Sequence, residues 1–171
     1  MDEMVNIFGS FASCSIYTDS YFLKGPLLDG QNAEEISRAV AIDASSKGFY
    51  SIAGPLGEFC SDVPDSWHDY GVLLVPIEVG ILEVIKRFKV GSHIGLPPEE
   101  VYQELEEIER EIGLAPFFAD QAGIKLTLSR VPDYSDVSMI MRNLISIEAM
   151  EDEMSAKDYI VKNRVIHLWW D

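Results

Sequence analysis

The spacing of apolar and polar positions divides this chain into strands and helices with no regular alternation between them. The strongest pattern lies in residues 71–91, GVLLVPIEVGILEVIKRFKVG, the most apolar run in the sequence. Val72 to Val75 has the β-branched character of a buried strand. Pro76 has no N–H to give to a ladder and predicts the end of that strand. From Ile77 the period changes. Ile77, Ile81, Val84, Ile85 and Phe88 recur at helical spacing, with Lys86, Arg87 and Lys89 near the end where cations favour the helix dipole. Gly91 is the expected stop. Gly80 and the β-branched residues keep a second strand over residues 78–82 as the alternative. Pro76, Glu78 and Glu83 interrupt the run too often for a membrane span, which needs about 20 apolar residues.

The same reading extends along the chain. Residues 14–23 alternate as a strand, and Gly25-Pro26 and Asp29-Gly30 punctuate the loop after it. Asn32, with Glu35 three residues on, reads as the N-cap of a helix over about 33–47. Its apolar face would be Ile36, Ala39, Val40 and Ala44, with Gly48 as the stop. Residues 49–53 form a short strand, and residues 57–70 a polar loop. Pro97-Pro98 opens the clearest helix and Gly113 ends it. Val101, Leu105, Ile108 and Ile112 make its buried stripe. Phe117 and Phe118 are expected to fold back onto the core. Ile124, Leu126 and Leu128 alternate with Lys125, Thr127 and Ser129, which predicts a half-buried strand. After a turn over residues 132–135, capped by Asp133 or Ser135, a helix is expected over about 136–154. Its core face would be Val137, Ile140, Met141, Leu144 and Ile147. Met139, Met141, Met150 and Met154 lie in it and read as core filling rather than as an adaptable groove. Residues 165–170 close the pattern as a strand ending HLWWD, expected in the core because two tryptophans are costly to leave in water. These elements predict an α+β fold: one globular domain over residues 1–171, with a mixed or antiparallel sheet of about five strands and three or four helices packed on it.

Charge changes the picture more than any motif. The 171 residues hold 13 Lys and Arg against 29 Asp and Glu, a formal net charge of −16. Phosphate contacts need cations, so direct binding to nucleic acid or to an anionic membrane is disfavoured. A cationic partner is favoured, or a chain kept soluble by its own repulsion. The first residues, MDEMVNIF, are acidic where a signal peptide is basic. Cys14 and Cys60 are too few for a disulfide framework. Both observations set the expectation of a cytoplasmic protein.

Candidate chemistry is sparse. There is no glycine-rich dinucleotide fingerprint, no Walker A pattern and no nucleophile elbow. Neither Cys-x-x-Cys nor His-x-x-x-His occurs, so no metal site and no cofactor is expected. The best enzyme constellation is Cys60 with His68 and Asp69, a thiol, an imidazole base and a carboxylate within ten residues. His68 and Asp69 are adjacent in sequence, however, and neighbouring side chains usually diverge. Any pair of acids doing glycosidase-type work would be an arbitrary choice among 29.

The distribution of acids is more informative. Residues 48–85 contain no Lys or Arg, yet include Glu58, Asp62, Asp65, Asp69, Glu78 and Glu83. In the clear helix Glu100, Glu104, Glu107 and Glu111 repeat the buried stripe, displaced by one residue. They predict a continuous acidic ridge, widened by Glu99, Glu106 and Glu109, with Arg110 the one cation on it. Residues four apart on a helix rise about 6 Å, close to the phosphate spacing of a nucleic-acid strand. The sequence therefore favours an acidic inhibitor or immunity-type protein that covers a basic, nucleic-acid-acting partner such as a toxin or nuclease. Asp62, Asp65, Asp69, Glu100, Glu104, Glu107 and Glu111 would supply charge, and Trp67 and Tyr70 aromatic anchors. The alternatives are a small enzyme working through Cys60 and His68, and a ligand-binding or structural domain whose acids serve solubility alone.

Overall fold

The computed structural model describes residues 11–13, 19–55, 70–145 and 153–170. The fold is α+β. Among the described residues it contains seven strands and five α-helices, slightly more than the expected sheet of about five strands with three or four helices. Contacts gather into two compact units, residues 1–80 and 81–171. No helix of the described residues is long and apolar enough to cross a membrane.

In the first unit the strands lie in the order β1 (Phe11–Ser13), β2 (Tyr21–Leu28), β4 (Tyr70–Pro76) and β3 (Phe49–Pro55). Each neighbour pairs antiparallel. β2 differs from the expected strand over 14–23. It runs on through Gly25-Pro26, and its pairing with β4 shifts register between Leu23 and Leu28. Such an irregularity accommodates a proline that cannot donate to the ladder. Residues 14–18 of that expected strand lie outside the described ones.

Helix α1 (Gly30–Ser46) starts earlier than Asn32 predicts. Asp29 is the cap: its carboxylate accepts from the Asn32 backbone N–H and from the Asn32 side-chain amide, each at 2.8 Å. Asn32 donates to the cap instead of serving as it. The buried stripe is Ala33, Ser37, Val40 and Ala44, while Ala39 is exposed. Ser37 can sit in the core because its hydroxyl donates to the Ser51 carbonyl of β3 at 2.6 Å. Val40 and Ala44 cluster with Leu74, Tyr21 and Phe49, the last two meeting edge to face.

The apolar run divides as its period predicts. β4 ends at Pro76, and the Ile77 N–H donates to the Gly48 carbonyl. A single 3₁₀ turn (Ile77–Val79) follows, and then helix α2 (Gly80–Arg87). Gly80 adopts a φ of 76°, which lets the chain leave the turn and start the helix. No strand forms over residues 78–82. Ile81, Val84, Ile85 and Phe88 are fully buried.

In the second unit α2 is followed by α3 (Pro98–Ile112) and three strands, β5 (Leu114–Ala119), β6 (Gly123–Leu128) and β7 (Val165–Trp169), in which β6 pairs antiparallel with each of the other two. Phe117 and Phe118 do reach the core, but as part of β5, a strand that the local pattern does not announce. Pro116 in its middle disguised it, and the register shifts between Pro116 and Phe118. β6 buries Ile124, Leu126 and Leu128 as the alternation predicts. Of the expected helix over 136–154, the described residues contain α4 (Tyr134–Ile145) and the start of α5 (Glu153–Asn163), and residues 146–152 lie outside the described ones. Val137, Ile140 and Met141 of α4 are buried. Ile147 and Met150 lie outside the described residues. Trp170 is buried, whereas Trp169 is 43% exposed, so the final tryptophans divide between core and surface.

Candidate functional site

The acidic ridge is carried by α3. Pro97 and Pro98 set its start, and Glu99 and Glu100 in the first turn face the positive end of the helix dipole. Val101, Leu105 and Ile108 are fully buried and Ile112 nearly so. This fixes the rotation of the helix. Glu100, Glu104, Glu107 and Glu111, each one residue before a buried position, therefore run along one flank. Glu100 and Glu111 are exposed, Glu104 and Glu107 half-buried.

The acids are not equivalent. Glu107 accepts from Arg142 at 2.8 Å and from Asn143 at 3.1 Å, both on α4. The Asn143 amide first, and Arg142 second, hold its carboxyl below the usual carboxylate range. Glu111 pairs with Arg110 at 3.0 Å. Glu99 pairs with Lys86 of α2 at 3.0 Å, and that hydrogen bond is the main cause of its lowered pKa. Glu109 accepts from the Tyr102 hydroxyl at 2.9 Å. Residues seven apart fall on one line of a helix, and this line lies on the flank opposite the ridge. Glu109 therefore does not widen the ridge. Arg110 is the one cation of α3 itself, and Lys86 and Arg142 reach α3 from its neighbours. No ion pair among the described residues engages Glu100 or Glu104.

The end of α3 is tied to the start of α4. The Arg130 guanidinium holds the Asp136 carboxylate with both terminal nitrogens, Nη2 to Oδ1 at 2.8 Å and Nη1 to Oδ2 closer. Its Nη2 also lies 3.5 Å from the Glu111 carbonyl. Asp133 caps α4: its Oδ1 accepts from the Asp136 N–H at 2.9 Å, and Asp136 Oδ2 accepts from the Asp133 N–H at 2.8 Å. This is a reciprocal capping box with an aspartate at the third position. Arg130 first, and the Asp133 backbone second, hold the Asp136 carboxyl below its ordinary range. The contacts at Glu107 and Glu111 mean that α3 and α4 run antiparallel, with the start of α4 beside the end of α3. The sequence pattern Asp133-x-x-Asp136 signals this cap, but nothing in it announces Arg130.

Of the loop residues expected to contribute, Asp62, Asp65, Trp67 and Asp69 lie outside the described residues, as do Cys14, Cys60 and His68. Tyr70 is the first residue of β4 and is half-buried. A Cβ placed on Gly30, at the start of α1, would stand 3.5 Å from the Tyr70 ring. The ring therefore packs over that glycine. Among the described residues no three His, Cys, Asp or Glu side chains converge as a metal site requires.

The chain matches no protein-family model, no curated protein and no solved structure.

Proposed function

We propose that this chain is an acidic protein-binding inhibitor, of the immunity type, that neutralises a basic partner acting on nucleic acid. The observation that carries the reading is the flank of α3, where Glu100 and Glu104 stand free of ion pairs among the described residues, on a chain of net charge −16. Carboxylates one helical turn apart present charge at about the interval of backbone phosphates. Such a surface steers association with a cationic cleft and competes for groups that otherwise hold the substrate. Asp62, Asp65, Trp67 and Asp69 belong to the same reading as further contacts. The reading carries with it a cytoplasmic location and no need of a cofactor.

The test begins with affinity capture from the cells of origin at low and moderate salt, using the wild-type chain and the double reversal E100K/E104K. A basic protein should be retained by the wild type and lost with the reversal. Its activity on nucleic acid, measured with the purified protein, should fall to background at one equivalent of this chain. Retention by both forms, or full activity at excess inhibitor, would remove the proposal.

A further inference from the structure

Two of the most exposed large hydrophobic residues of the described chain, Tyr134 at 90% and Val131 at 64%, lie three residues apart where the turn after β6 enters α4. Exposed apolar residues are ordinary when scattered singly. Ile42, 82% exposed on α1, is such a case. The turn at 131–134 differs in how firmly it is held. Arg130 grips Asp136 through two nitrogens, Asp133 and Asp136 bond each other's backbone, and Pro132 is buried. Asp136 itself is buried. Five consecutive positions are thus fixed from both sides, while Val131 and Tyr134 project from them into water. A tyrosine on a fixed backbone has only two side-chain torsions to give up on binding, which is why such residues serve as anchors at interfaces.

The surroundings state what kind of surface the anchor would meet. Asp133 is exposed beside Tyr134, and Arg130 bridges the turn to the last residues of α3, where Glu111 is exposed. We propose that Tyr134 and Val131 are the apolar anchor of the partner interface, set at the end of the acidic flank of α3. The occupant is a protein surface with Lys or Arg side chains around an apolar pocket that takes the phenol ring. The inference rests on the reading of a basic partner given above, and it names the residues that hold that partner once charge has brought it in.

The experiment uses the full chain with a photo-reactive benzophenone amino acid in place of Tyr134, and a second form with it in place of Ile42. Each is irradiated in lysate from the cells of origin, and the joined peptide is read by mass spectrometry. Unlabelled wild type, Y134A, V131S and E100K/E104K then serve as competitors, after their unfolding midpoints are shown to match. The expected result is a cross-link from position 134 and not from 42, to a peptide rich in Lys or Arg. Y134A should compete about tenfold less well than wild type, as loss of an anchor residue implies. Equal labelling from both positions, or a cross-link to a second copy of this chain, overturns the inference. If Y134A competes as well as wild type while E100K/E104K does not, the anchor is wrong and the basic partner stands. If Y134A fails to compete, E100K/E104K competes fully and the joined peptide lacks cations, the basic partner is wrong and the proposal falls with it.

Discussion

Ser129 occupies the space beside Gly113: a Cβ built on that glycine would stand 2.6 Å from the Ser129 hydroxyl. The Ser129 N–H also donates to the Gly113 carbonyl at 3.1 Å. Gly113 has a φ of 83° and accounts for the stop of α3 twice over, by conformation and by lack of a side chain. Gly113→Ala is expected to lower stability by about 1–3 kcal/mol, the range for a side chain forced into that backbone region. Urea unfolding checks it. Ser129→Ala in the same chain should recover part of the loss by removing the clash, and not the part due to φ.

That glycine was legible in the sequence because the pattern of α3 was unambiguous on both sides of it. Four apolar residues at spacings of four, three and four, with prolines before and glycine after, leave one helix and one rotation. β6 was legible for the same reason in period two. What escaped was set by contacts between distant residues. β5 hides behind Pro116, which a strand tolerates at a register shift that no local pattern reveals. Ser37 looks like a surface residue until the Ser51 carbonyl is seen to meet it. The ridge was readable as a line of acids, but not its internal division. Arg142 and Asn143 lie 35 and 36 residues from Glu107, and only the packing of α4 on α3 brings them there.

The Arg130–Asp136 pair gives the chain a defined acid sensitivity. The folded state holds the Asp136 carboxyl below its ordinary pKa, so it binds a proton less readily than the unfolded chain. The associated stability is therefore fully present above the unfolded value of about 3.9 and is lost as pH falls through the lower folded value. Glu107 acts with the same sign. Thermal midpoints should decline below about pH 4, and Asp136→Asn should show a shallower decline. At neutral pH Asp136→Ala should cost about 1–3 kcal/mol, through the lost cap and a guanidinium left without its partner. A midpoint unchanged in Asp136→Ala would show that the capping box does not hold the turn.

Gly123 tests the β6–β7 pair in a similar way. A Cβ there would stand 2.4 Å from the Leu168 carbonyl oxygen and 3.2 Å from the Trp169 ring. The ring can swing aside, but the carbonyl belongs to the ladder and cannot move alone. Gly123→Ala should therefore destabilise by about 1–3 kcal/mol, as overpacking does. Adding Trp169→Ala should not restore the loss. Restoration, measured by urea unfolding, would mean that the indole is the obstacle and the backbone has room.

The acidic flank of α3 separates function from stability. Like charges four residues apart on a helix are unfavourable by a few tenths of a kcal/mol per pair. Glu104 stands four residues after Glu100, and neither is relieved by an ion pair among the described residues. Glu104→Lys replaces that repulsion with a Glu-to-Lys pair in the favoured orientation. It should raise stability by about 0.3–1 kcal/mol at low salt, and the gain should shrink as salt screens it. If the proposed basic partner binds this flank, the same substitution should slow their association and flatten its dependence on ionic strength. A chain optimised for folding alone has no reason to keep Glu104 where lysine is better. Thermal midpoints at low and high salt, set beside association rates for the same variant, decide the point. Greater stability with slower binding marks the flank as kept for a partner, whereas greater stability with unchanged binding assigns it to solubility.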